Sequence, residues 1–251
     1  MHRFWLSAIL SYRALFAWLN PVGYVASRFL APVSTSLIFA TLARHTGNSV
    51  ERPVIGGALL AVCMAAMFGV TLAVANERFY GTLGAWLSAP QGLVSSVLGK
   101  ATVHVADGML SASVTFLTTA LVSHLTVAPS RIPILLLAAI TAALSGTGMG
   151  VLISCLAVVF RDTFTAANVA QAIFVAVSGI FLPTAALPGV VAASSAVLPL
   201  HHAITAALSP RLDLTALALE CAVAVLWAVI GFTLFLRATR HSRRTGSWDL
   251  W

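Results

Sequence analysis

Charge is what this sequence has least of. Only 8% of its 251 residues are Asp, Glu, Lys or Arg, whereas 59% are hydrophobic and the mean hydropathy is +0.97. A soluble domain carries roughly 25% charged residues, so this chain has too little polar surface to cover a water-facing fold. Stretches 54–76, 108–130, 132–160 and 163–210 contain no formal charge at all. Each is at least as long as the roughly 20 helical residues that cross a bilayer's hydrocarbon core. Period-two alternation is also missing, which excludes the roughly ten-residue spans of a membrane β-barrel. The fold class expected is an all-α integral membrane protein.

Other absences narrow the chemistry. The 3 cysteines, Cys63, Cys155 and Cys221, stand singly in apolar segments without a C-x-x-C pair, so they form neither a disulfide framework nor a zinc site. No H-E-x-x-H helix or G-x-S-x-G elbow occurs, and His201-His202 are adjacent, so their rings cannot share a helical face as a metal pair would. The nearest approach to a phosphate loop, Gly99-Lys100-Ala101, has Val94 in place of the first glycine and Ala101 in place of Ser or Thr. The net charge of +7 is scattered without aromatic interleaving, which argues against nucleic acid and for topology signals. Neither a cleavable signal peptide, an internal repeat nor an attached catalytic domain is expected; 1–251 reads as a single membrane domain.

What is present are apolar runs punctuated by proline, glycine and basic residues. Residues 1–20, with Trp5, Tyr12 and Trp18 beside Arg3 and Arg13, suit an interfacial helix. Spans are expected at 22–42, 54–75, 98–122, 132–159, 164–181 and 214–236. The basic tail Arg237, Arg240, Arg243 and Arg244 belongs inside by the positive-inside rule. With the N-terminus also inside, Arg3, Arg13, Arg78, Lys100 and Arg161 join it, against Arg44, Arg52, Arg131 and Arg211 outside, while Arg28 falls to neither side. That arrangement demands an even number of crossings. Residues 183–210, broken by Pro183, Pro188 and Pro199, are therefore expected as re-entrant or outer-surface helices.

Between the second and third spans runs Asn76-Glu-Arg-Phe-Tyr-Gly-Thr-Leu-Gly-Ala-Trp-Leu-Ser-Ala-Pro90. Its spacing predicts a helix end at Glu77-Arg78, a turn at Gly81 and a short helix within 77–89 whose Leu83, Trp86 and Leu87 share an apolar face. Such a face suits docking into a groove, or simple interfacial anchoring. The segment resembles the loop of type 2 ABC transporter permeases, which reads approximately E-R-E-x-G-T-L-E-x-L-x-x-x-P; Phe79 and Gly84 depart from it where that family often carries acids. Phe160-Arg-Asp-Thr-Phe-Thr165 is similar to the family's turn between the fourth and fifth spans. Ser178-Gly-Ile-Phe-Leu-Pro183 with Leu198-Pro-Leu-His-His-Ala-Ile204 is similar to the outer segment of its drug-efflux and nodulation-factor-export branch.

The resemblance implies a six-span, non-enzymatic permease subunit in a bacterial cytoplasmic membrane, pairing with a second copy or a related permease and with two ATPase subunits. ATP and magnesium would be bound by those partners, and this chain would bind no cofactor. It assigns ATPase coupling to Asn76, Glu77, Arg78, Gly81, Thr82, Leu83, Trp86, Leu87, Pro90, Arg161 and Asp162, with Leu83 and Trp86 filling the partner's groove. It places the second and fifth spans around the substrate path, giving Met64, Phe68, Asn168, Gln171, Phe174 and Ser178 as candidates. The implied cargo is an amphipathic drug, antibiotic or glycolipid, or a polysaccharide-type molecule.

One polar stripe remains. Lys100, His104, Asp107, Ser111, Thr115 and Thr118 recur at helical spacing along the third span and should not face lipid. They read either as a wall of the path or as bundle packing in which His104 satisfies Asp107. Gly146, Gly148 and Gly150 mark close helix contact on the fourth span. Two different classes stay open: an ion- or proton-coupled carrier working through Asp107 and Glu220, and a membrane assembly protein without transport.

Overall fold

The computed structural model describes residues 20–88, 93–159 and 164–245, together with Ile9, and these are helical with no strand among them. The expected interfacial helix, apart from Ile9 and Asn20, lies outside the described residues, as do Pro90, Arg161 and Asp162. Five helices have the length and apolarity to cross a membrane: α1 (Pro21–His45), α2 (Glu51–Phe79), α4 (Leu93–Val122), α5 (Ile132–Val159) and α9 (Leu214–Thr245). Between them lie α3 (Leu83–Ser88), α6 (Phe164–Val177), α7 (Gly189–Ser195) and α8 (His201–Leu208).

Helix α2 is the axis of the bundle. It is apolar all round, and 83% of its most hydrophobic window is buried. Helices α1, α4 and α5 pack on it directly, and α9 packs on the far side of α5. Small residues allow these approaches, as expected where lipid supplies no hydrophobic drive between helices. The glycine patch of α5 divides between two neighbours. A methyl on Gly146 or Gly150 would strike the α2 backbone at Cys63 or Met67, whereas one on Gly148 would meet Ala224 of α9. Leu117 and Leu121 of α4, Ile140 of α5 and Val225 and Val229 of α9 point outward, where lipid would lie.

Helix α1 opens at Asn20, whose side chain accepts the Gly23 N–H at 2.6 Å, with Pro21 at the first helical position. Pro32 inside it has no N–H, so the Arg28 carbonyl one turn earlier loses its helical donor. The Ser111 hydroxyl of α4 donates to that carbonyl instead, and residues Ala26–Leu30 form a π turn.

The fifth expected span, 164–181, is shorter in the structure. Helix α6 has 14 residues, which rise about 21 Å. It stops at Val177 because Gly179 takes φ +79°, left-handed backbone that favours glycine, and Pro183 follows. Ser178–Phe181 then fold back on the bundle, with Phe181 stacked on Phe39 at 3.8 Å and the Ile180 carbonyl against Gly56. Helices α7 and α8 lie at the end of the bundle opposite α3, held by basic side chains that bind main-chain carbonyls. Arg52 donates to Gly179 O and Arg131 to Ala207 O, at 2.7 and 2.8 Å, while Arg131 also pairs with Glu51.

Candidate functional site

At the α3 end, α2 runs through Asn76, Glu77 and Arg78 before the chain turns at Gly81, whose φ of +69° explains the glycine. Thr82 closes the turn: its hydroxyl donates to a Glu77 carboxylate oxygen at 2.6 Å, and its N–H to the Glu77 carbonyl at 2.8 Å. The other Glu77 oxygen accepts from Lys100 of α4, whose ammonium also reaches the Ala73 carbonyl and lies 4.9 Å from the centre of the Trp86 ring. Trp86 Nε1 in turn donates to Ser96 Oγ at 2.9 Å. One charged network therefore fixes α3 to α2 and α4.

The apolar face of α3 does not face outward. Leu83, Trp86 and Leu87 are buried against Val70 and Val74 of α2, Val97 and Ala101 of α4, Val151 of α5 and Phe235 of α9. This corrects the expectation that Leu83 and Trp86 fill a partner's groove. A six-residue helix cannot hold itself together in water, so its apolar face is spent on its own bundle. What remains on the surface is Phe79, 72% exposed, with Tyr80, Gly81, Thr82, Ala85 and Ser88.

The α4 stripe divides into two separate clusters. Lys100 belongs to the α3 network. Asp107 faces α1 rather than His104: its Oδ2 forms an ion pair with Arg28 Nε at 3.2 Å without hydrogen-bond geometry, and its Oδ1 accepts from the Tyr24 hydroxyl. His104, 1% exposed, instead packs against Gly69 of α2. Ser111 holds the Arg28 carbonyl, and the buried stripe continues through Thr115 to Thr119, with Thr118 only partly covered. Neither Tyr24 nor Arg28 was assigned a role by sequence reasoning. The signal for Arg28 was Pro32 placed four residues after a charged residue inside an apolar span.

A cavity of about 360 Å³ lies between α1, α2 and α6. Of the substrate-path candidates, Met64, Phe68 and Gln171 line it, beside Leu60 and Val175, and Arg28 and Ser111 line it as well. Asn168 is exposed elsewhere on α6. Phe174 is buried in the core, and Ser178 is buried with its hydroxyl donating to the Pro199 carbonyl at 3.0 Å. Those two serve packing rather than the cavity.

Glu220, fully buried in α9, caps α8. Its carboxylate accepts the Leu200, His202 and Ala203 N–H groups at 2.8, 3.2 and 3.1 Å and the Ser145 hydroxyl of α5. Leu200, at φ +81°, turns the chain so that these donors converge. Among the described residues no cluster of His, Cys, Asp or Glu could hold a metal ion.

A comparison with proteins of curated function finds none that matches. The family model of the ABC-2 type transporter matches residues 6–210, a range that takes in the α3 network, the cavity and the capped α8. A bundle of apolar helices with that match over most of its length belongs to the ABC-2 type transporter family.

Proposed function

We infer that this chain is the permease subunit of an ATP-driven exporter, with the Asn76–Ser88 segment as the element that couples it to a separate ATPase. The observation that carries this reading is the Glu77–Thr82–Lys100–Trp86 network, which makes α3 a rigid extension of α2 and α4. A force applied at Phe79, Tyr80 or Ala85 would move both helices together, and α2 lines the cavity. Among the described residues Arg78, Lys100, Arg237, Arg240, Arg243 and Arg244 fall toward the α3 end, against Arg44, Arg52, Arg131 and Arg211 toward the other, an excess that supports a cytoplasmic placement of the α3 end and, with it, of both termini in a bacterial inner membrane.

The cargo proposed is an amphipathic molecule such as a drug, antibiotic or glycolipid, since the cavity is mostly apolar and opens between helices. A second permease copy would cover α1, the least buried of the five spans, together with α6. ATP and magnesium would bind to two ATPase partners. The drug-efflux and nodulation-factor-export branch supplies the cargo class by resemblance alone.

The reading of a proton-coupled carrier through Asp107 and Glu220 is weakened, because Asp107 is tied to Arg28 and Tyr24 and Glu220 to three backbone donors. The test is purification of the chain with a co-expressed Walker-motif ATPase. Glu77→Ala with Lys100→Met is expected to leave the complex assembled while ATP hydrolysis stops responding to cargo. Proton-driven flux by the chain alone in liposomes would overturn the reading.

A further inference from the structure

The cavity between α1, α2 and α6 has one charged end. Most of its wall is apolar, but Arg28 lines it, with Ser27 and Ser111 near by and Gln171 contributed by α6. An arginine within a span is costly and marks a site whose partner must be named. Here the partner is Asp107, and it engages one edge of the guanidinium, at Nε, while its other oxygen takes the Tyr24 hydroxyl.

A guanidinium has five N–H donors, and a carboxylate that only neutralises it usually takes two of them in a fork. Arg28 lines the cavity whereas Asp107 does not, so of the two charges it is the positive residue that borders the empty space. The π turn Ala26–Leu30 is the second observation. Such turns are frequent at functional sites because they re-aim a side chain out of helical register. The Ser111 bond to the Arg28 carbonyl fixes that backbone in place.

We propose that this cavity binds the acidic head of an amphipathic molecule, a phosphate or carboxylate on an apolar tail, at the Arg28 guanidinium. The proposal rests on the reading of the cavity as substrate path and names the substrate class. In this proposal the tail would lie along Leu60, Met64 and Phe68, which line the cavity with Arg28, and the head would meet the guanidinium.

The test uses the full chain in phosphatidylcholine nanodiscs, titrated by calorimetry with octyl phosphate, octyltrimethylammonium and octyl glucoside. Octyl phosphate is expected to bind about tenfold more tightly than the other two, the worth of one added charge-assisted hydrogen bond. Arg28→Gln, and the charge-balanced pair Arg28→Gln with Asp107→Asn, are expected to erase that preference. Equal binding of the three probes, or a preference that survives in the charge-balanced pair, would overturn the proposal. If phosphatidylglycerol nanodiscs suppress octyl phosphate binding, the acidic occupant is a bilayer lipid. If octyl phosphate stimulates ATP hydrolysis by the assembled complex, the occupant is cargo; both results uphold an acidic head. Failure of any ATPase to co-purify would remove the exporter reading and leave the binding result standing.

Discussion

Glu220 shows how a single side chain can hold a break in a membrane protein. The helix breaks between α6 and α8 leave backbone N–H groups that no water would satisfy, and one carboxylate from α9 accepts three of them. Glu220→Ala strands those donors and is expected to destabilise the chain by about 3 kcal/mol or more, read as a lowered unfolding temperature in detergent. His201 gives a pH dependence to the same region. Burial, followed by the neighbouring His202, pushes its imidazole below the ordinary 6.5. The folded state therefore binds fewer protons than the unfolded one, so stability is full above about pH 6.5 and falls as pH drops below it. His201→Gln is expected to flatten that slope between unfolding curves taken at about pH 7.5 and about pH 5.5.

At the scale of elements, α2 is a helix whose neighbours approach to backbone contact. Gly146→Ala sets a methyl against the Cys63 carbonyl and 2.9 Å from its Sγ, and is expected to cost about 1–3 kcal/mol by overpacking. Gly189→Ala has nothing within 4 Å and is the control expected to leave unfolding unchanged. The sequence made the five long helices legible because each is a run of about 20 or more residues with little charge. It made Gly81 legible as a turn because the apolar pattern stops and restarts around it. The direction of the α3 face was not legible: Leu83, Trp86 and Leu87 have the same spacing whether they meet a partner or their own bundle. Long-range pairs were hidden for the same reason. Glu77 and Lys100 are 23 positions apart and Arg28 and Asp107 are 79, and periodicity within one helix says nothing of what faces it from another. The α6 end was misplaced because Ser178–Phe181 is as apolar as a helix, and only Gly179 signalled the turn.

On the scale of the whole molecule, the bundle has two fixed ends and a loose side. The α3 end is locked by charge, and the opposite end by Arg52, Arg131 and Glu220, whereas α1 and α6 border a cavity with little packing between them. That asymmetry suits a subunit driven from one end whose cavity walls shift against each other. The most direct test is photo-crosslinking in the membrane with benzoylphenylalanine placed at Phe79 or Tyr80, which point outward, and at Val190 of α7 at the other end, which is 86% exposed. Crosslinks to a Walker-motif ATPase from positions 79 and 80 but not from 190 are the expected result. An ATPase captured from 190, or none captured from 79 and 80 while the chain is otherwise folded, would contradict the account.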